Sequence, residues 1–142
     1  MKKIYLVILN PYAYDGAMYK AEAIAKEASV PLNVVFFISE KSVCRMMNNL
    51  GENGWLSAAS IRSLQNSMLE GYRGLADDVL DRVQRKLIDL ELNILPVNEQ
   101  PTVEPYLHRL VAEGAEQIIV AGSSDVQLKQ DILPEQVIVA IA

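Results

Sequence analysis

Gly122, Ser123 and Ser124 follow the apolar run QIIVA and precede an acid, Asp125. In open α/β sheets a small loop after a buried strand is a common phosphate cradle. Main-chain N–H groups of a glycine loop and of a helix N-terminus point at the anion. Here the glycine and serines offer that kind of donor, but Asp125 sets a negative charge beside any phosphate and opposes it. The next apolar run begins at Gln136, so residues 123–136 must hold the whole connection. A parallel crossover takes roughly a dozen residues. There is room for one short helix and not for a phosphate loop as well. The plain reading is that Gly122 permits a tight turn and that Ser123 or Ser124 caps the next helix. No G-x-S-x-G is present, so the serines form no nucleophile elbow.

Other reactive side chains are scattered. His108 is the one histidine, with no cysteine or second histidine at ligand spacing, and reads as a surface or half-buried structural residue. Cys44 is the one cysteine. Lys41 and Arg45 nearby would lower its pKa, yet no histidine is close in sequence, and it reads as a structural thiol. Asp77, Asp78 and Asp81, followed by Arg82, Arg85 and Lys86, read as the solvated face of a helix. Trp55, in GENGWLS, reads as the anchor of its loop; a cover over a ligand pocket and a partner surface are the alternatives. Met46, Met47 and Met68 read as core filler. No catalytic constellation and no metal-ligand set emerges.

The bulk numbers limit the classes. The chain has 142 residues, 51% hydrophobic and 22% charged, with a formal net charge of −5. That suits a single domain over 1–142 with a real core. An acidic chain is a poor candidate for sequence-independent nucleic-acid binding or for docking on an anionic membrane. A lone cysteine allows no internal disulfide, and a reducing, cytoplasmic setting is the expectation. MKKIYLVILNPYAYDG carries lysines before an apolar run too short to span a membrane, and it reads as an opening strand.

The elements that must position these groups alternate. KIYLVILN (3–10) is a continuous run of β-formers, as expected of a strand buried on both faces. After PYAYDG, apolar residues at Ala17, Ala21, Ile24, Ala25 and Ala28 fall at helical spacing, and PLNVVFFISE (31–40) is a second buried strand. The crossover should be right-handed. From Ile61, the residues Leu64, Met68, Tyr72, Leu75, Val79, Val83 and Leu87 step by three and four along one helix face. Gly71 and Gly74 predict a kink or break there, and Ser57 or Ser60 a cap. LELNILPVNE (90–99) is a third strand. A short helix follows, with Thr102 as cap, Pro105 in its first turn and Gly114 at its stop. QIIVAG (117–122) and QVIVAIA (136–142) are the fourth and fifth strands. Alternation of this kind predicts an α/β, Rossmann-like domain: an open, mostly parallel sheet of five strands with helices on both faces.

KIYLVILNPYAYDGAMYKAEAIAKEASVPLNVVFFISE resembles the opening β-α-β of the universal stress protein family. PTVEPYLHRLVAEGAEQIIVAGSS resembles its third-helix and fourth-strand segment. The resemblance implies strand order 3-2-1-4-5 and a homodimer paired through the fifth strand, here 136–142. Some members bind ATP and others do not. ATP-binding members carry an Asp near the end of strand one and G-x2-G-x9-G-[ST] after strand four. Here Leu9 or Asn10 fills the first place, and Asp15 lies beyond Pro11. After Gly122 the chain reads SSDVQLKQDILPEQ, without a second glycine.

The expectation is therefore a universal stress protein-like, non-catalytic regulatory or interaction protein with a degenerate nucleotide site. It would act through the dimer surface and the irregular 40–60 segment on an unidentified protein partner, with no cofactor, nucleic acid or membrane. The alternative is a small-molecule sensor. ATP, AMP or another ligand would then sit at the C-terminal ends of strands one and four, the switch point of this order, among Leu9, Asn10, Pro11, Phe37, Ile38, Gly122, Ser123 and Ser124. An apolar fifth strand at the sheet edge needs a partner, and pairing with its own copy is the simple answer.

Overall fold

The computed structural model describes residues 3–41, 57–122 and 135–141. The chain runs β1 (Lys3–Ile8), α1 (Asp15–Ala28), β2 (Leu32–Ser39), α2 (Ala58–Lys86), β3 (Leu92–Ile94), β4 (Asn98–Gln100), α3 (Glu104–Ala112), β5 (Ala115–Gly122) and β6 (Val137–Ile141). The sheet order is β3-β2-β1-β5-β6, with β4 also on β2, and every described pairing is parallel.

Five strands were expected and six are present among the described residues. The extra one comes from residues 90–99, which form two strands of three residues each, β3 and β4. Leu95 still donates to the Val34 carbonyl at 2.8 Å. The next residue, Pro96, has no N–H to continue the ladder. The chain leaves β2 and rejoins it where Phe37 pairs with Asn98. Read as two halves of one strand, β3 and β4 preserve the expected order.

The continuous apolar runs form strands buried on both faces, as parallel sheets require. Ile4, Leu6, Ile8, Val34, Phe36 and Ile38 point into one core with α1 and α2. Tyr5, Val7, Val35, Phe37, Ile118 and Val120 point into the other with α3. α1 buries Ala17, Met18, Ala21 and Ala25. Three of these are alanines, so the helix axis comes close to the sheet. The helix ends in a Schellman-type turn: Ser29 is left-handed at φ 56°, and Val30 donates to the Ala25 carbonyl at 3.1 Å.

α2 corrects the expected break. It runs unbroken for 29 residues through Gly71 and Gly74. A glycine in a helix interior costs only about 1 kcal/mol against alanine, and a well-packed stripe offsets that. The packing is concentrated in the second half, where Ala76, Val79, Leu80 and Val83 are buried, while Leu64 remains 39% exposed. Ser57 is the N-cap, its hydroxyl accepting from the Ser60 N–H at 3.2 Å. At α3 the expected cap is corrected as well. The N-cap residue is Val103 with no side-chain cap, so Thr102 does not serve. Pro105 in the first turn and Gly114 after the last, at φ 104°, are as expected.

Candidate functional site

The switch point lies where β1 and β5 end side by side, with Ile8 paired to Ala121. Past the last ladder pair the two chains stay tied. The N–H groups of Leu9 and Asn10 both donate to the Ala121 carbonyl, at 3.0 and 3.2 Å. Asn10 then turns the chain, its Oδ1 accepting from the Tyr12 N–H at 3.0 Å. Pro11 between them has no N–H. Every main-chain donor from 9 to 12 is therefore already bonded within the chain or absent. A phosphate-gripping turn works by leaving such donors free, and this one does not. The pattern was not visible in the sequence, because it depends on β5 lying alongside.

The predicted site residues separate in the structure. Asn10 and Pro11 are half-buried at the mouth. The Leu9 side chain is turned into the α3 core, as is Phe37, whose ring meets Tyr106 at 5.2 Å between centroids. Ile38 lies in the opposite core beside Ile8 and Phe36. Phe37 and Ile38 are thus structural at their side chains. Tyr12, which sequence reasoning passed over, stands at the mouth with 75% of its surface exposed. Gly122 is the last residue of β5 and pairs with Ile141. Left-handed backbone occurs at Gly114 and Ser29 among the described residues, not at Gly122; the turn expected after Gly122 falls on residues outside the described ones. A Cβ added there would lie 3.5 Å from Val139 Cγ1, an ordinary contact. Among the described residues neither conformation nor packing demands a glycine at this place. Ser123, Ser124, Asp125, Cys44, Met46, Met47 and Trp55, with most of the 40–60 segment, lie outside the described residues.

Asp15, the acid nearest the end of β1, is engaged elsewhere. Its carboxylate meets Lys86 Nζ at 3.3 Å and Arg82 Nη2 at 3.8 Å, both from α2. The Arg82 guanidinium also lies over the Tyr14 ring, 5.7 Å from its centroid. Asp15 sits in the first turn of α1, where a negative charge complements the helix dipole. The cluster ties α1 to α2.

The remaining ionisable groups show structural environments. Burial pushes the Tyr5 and Tyr106 hydroxyls up from their ordinary pKa; Glu113 adds to this at Tyr5, and Arg109 opposes it at Tyr106. Both phenols stay protonated at neutral pH. His108 is exposed on α3, and Asp77, Asp78 and Asp81 line the exposed face of α2. Among the described residues no group of three or more His, Cys, Asp or Glu is placed to hold a metal ion. No described helix is long and apolar enough to cross a membrane.

No protein-family model and no curated protein sequence matches the chain. Solved structures do. A universal stress protein family structure from Burkholderia pseudomallei superposes with a TM-score of 0.63 at 19% identity, covering 99% of this chain and 96% of that one. Hypothetical protein MJ0577, the subject of a structure-based assignment of biochemical function, superposes with a TM-score of 0.61 at 14% identity, covering 100% and 97%. The chain has the universal stress protein-like fold over its whole length.

Proposed function

We propose that this chain is a universal stress protein-like regulatory or interaction protein, cytoplasmic and without catalysis, acting as a homodimer on a protein partner. Its phosphate site is degenerate. The observation that carries this reading is the bonded state of the β1 end: Leu9 and Asn10 donate to Ala121, Tyr12 donates to Asn10, and Pro11 has nothing to donate. An anion arriving at residues 9–12 finds no free main-chain donor among them.

The two sides of the sheet support self-association through β6. The β3–β4 side is two three-residue strands broken at Pro96, with Glu91 just before β3 and Glu99 within β4. Short strands, proline and charge all discourage pairing between molecules. β6, VIVAI, is five residues of uninterrupted apolar sequence at the other end of the order. Sedimentation of the full chain tests the assembly. A dimer for the native sequence supports it; a monomeric native chain refutes it.

Gly122 favours a second reading, a small-molecule sensor at the same mouth. With neither φ nor packing among the described residues requiring glycine, close approach of a ligand would explain why a side chain is missing there. Nucleotide released on denaturation, read by mass spectrometry, and a saturable rise in Tm with ATP, ADP or AMP would establish the sensor. ATP turnover would establish an enzyme instead. No response to any nucleotide leaves the interaction protein.

A further inference from the structure

Asp15 and Gly16 form the one Asp-Gly step in the sequence, and they are the first two residues of α1. Such a step can rearrange its own backbone. The main-chain nitrogen of the glycine attacks the aspartate Cγ. The carboxyl hydroxyl leaves with the amide proton as water, and a five-membered cyclic imide closes. Water then adds to either imide carbonyl. Opening at Cγ returns aspartate. Opening at the main-chain carbonyl leaves isoaspartate, with the chain running on through Cγ. The overall change is an isomerisation, and it needs no oxidant, reductant or further reactant.

Three features of the fold leave this reaction open. The hydrogen-bond ladder of α1 starts at Met18, which donates to the Tyr14 carbonyl at 2.9 Å, so the Gly16 amide lies ahead of the ladder. A serine or aspartate at the N-cap would accept from the second or third amide of the helix. Here the N-cap is Tyr14, with no side-chain cap. The groups that react are also accessible. The Asp15 side chain is 53% exposed, and a Cβ built on Gly16 meets nothing within 4 Å among the described residues.

The ion pairs to α2 act as a restraint. Asp15 Oδ1 meets Lys86 Nζ at 3.3 Å, and Oδ2 meets Arg82 Nη2 at 3.8 Å. Turning Cγ onto the Gly16 nitrogen breaks both contacts and takes Asp15 out of the helical backbone well, so ring closure requires the first turn to fray. Helix ends do fray, and exposed ion pairs are weak. The restraint therefore slows the reaction without blocking it. We propose that Asp15–Gly16 is a spontaneous backbone-modification site, where aspartate converts to isoaspartate at a rate governed by Lys86 and Arg82. Conversion adds a methylene to the main chain in the first turn of α1. It also moves the carboxylate away from Lys86 and Arg82 and unties α1 from α2. The modified chain is then a substrate for carboxyl methylation of the isoaspartyl group.

The test ages the folded full chain at physiological temperature and follows the tryptic peptide 4–20, bounded by Lys3 and Lys20. The expected product is a second chromatographic form of that peptide with unchanged mass. Electron-transfer fragmentation places isoaspartate at position 15, and an isoaspartyl carboxyl methyltransferase labels it. The Asn53–Gly54 step falls in a different tryptic peptide, and its deamidation changes the mass, so the two are not confused. Lys86→Met should raise the rate roughly two- to fivefold, the worth of an exposed ion pair. Gly16→Ala should lower it, and Asp15→Glu, whose ring would have six members, should abolish the product. The chain unfolded in urea, where α1 is gone, is the positive control and should react faster than the native chain. No isoaspartate at position 15 in the native chain overturns the proposal. So does a rate unchanged in the Arg82→Met/Lys86→Met double variant, or isoaspartate that forms equally at Asp77, Asp78 or Asp81.

Discussion

Arg73, midway along α2, grips Glu99 of β4 with a two-pronged fork: Nε to Oε2 at 2.8 Å and Nη2 to Oε1 at 2.6 Å. The ion pair joins the long helix to the strand that exists only because Pro96 broke its predecessor. Beside it, the Ser39 hydroxyl and the Lys41 N–H both donate to the Pro101 carbonyl, at 3.3 and 3.0 Å. Together these contacts fasten β4 to the end of β2 and hold α2 across it.

The fork makes a pH prediction. Hydrogen bonding from Arg73 holds the Glu99 carboxyl below the usual carboxylate range, and the same bond raises Arg73. A depressed folded pKa means the stabilisation is fully present above the unfolded pKa of a glutamate. It is lost as pH falls through the folded value. The Tm gap between the native chain and Glu99→Gln should therefore be full at neutral pH and vanish in acid. It should narrow in high salt, since the pair is exposed. Arg73→Lys should recover only part of it, because an ammonium cannot make both prongs. A gap that is constant down to strong acid would contradict this account.

Burial along α2 and its exit makes a second prediction. Leu87 is 1% exposed and Leu64 is 39% exposed. Leu87→Ala should cost about 2–5 kcal/mol, through lost burial and the cavity left behind. Leu64→Ala should cost about 0.5 kcal/mol or little more. Urea unfolding of the two variants reads the difference; equal costs would mean that the first half of α2 is packed as tightly as the second.

Glycines give a third, in which one substitution changes sign with place. Gly71 is helical, and an added Cβ meets nothing within 4 Å, so Gly71→Ala should stabilise by up to about 1 kcal/mol. Gly114 has equally open surroundings but φ at 104°. Gly114→Ala should destabilise by about 1 kcal/mol or more, on backbone strain alone. Thermal unfolding of both variants should show Tm moving in opposite directions.

Ser29 extends the same reasoning. It holds φ 56° at the end of α1, where glycine is the usual residue. Ser29→Gly should raise stability by up to about 1 kcal/mol, relief of the left-handed strain exceeding the entropy cost of glycine. A fall in Tm would show that the serine side chain contributes something the backbone geometry does not account for.

Much of the architecture is legible in the sequence. Residues 4–9, 34–38 and 118–121 are apolar without interruption, as strands buried on both faces require. The three-and-four spacing ending at Val79, Val83 and Leu87 marked the buried half of α2. These signals are local: each records how one segment meets water and core, whatever its neighbours are.

The tertiary structure decided what depends on neighbours. Pro96 split a strand because β2 needed a donor it lacks, while Gly71 and Gly74 broke nothing because the packed second half of the helix carried them. Phe37 and Ile38 sit at the right end of β2 for a ligand, yet helices on both faces enclose them. The amides of Leu9 and Asn10 are closed because β5 lies one strand spacing away. Ile4 skips a residue of β5 in choosing its partner, pairing with Gln117 where Lys3 pairs with Ala115. The sequence by itself determined which long segments are strand and helix, and which stripe of α2 is apolar. Register, side-chain enclosure and the state of each main-chain donor came only from the folded chain. Those are properties of pairs of segments, and local periodicity carries no information about the second member of a pair.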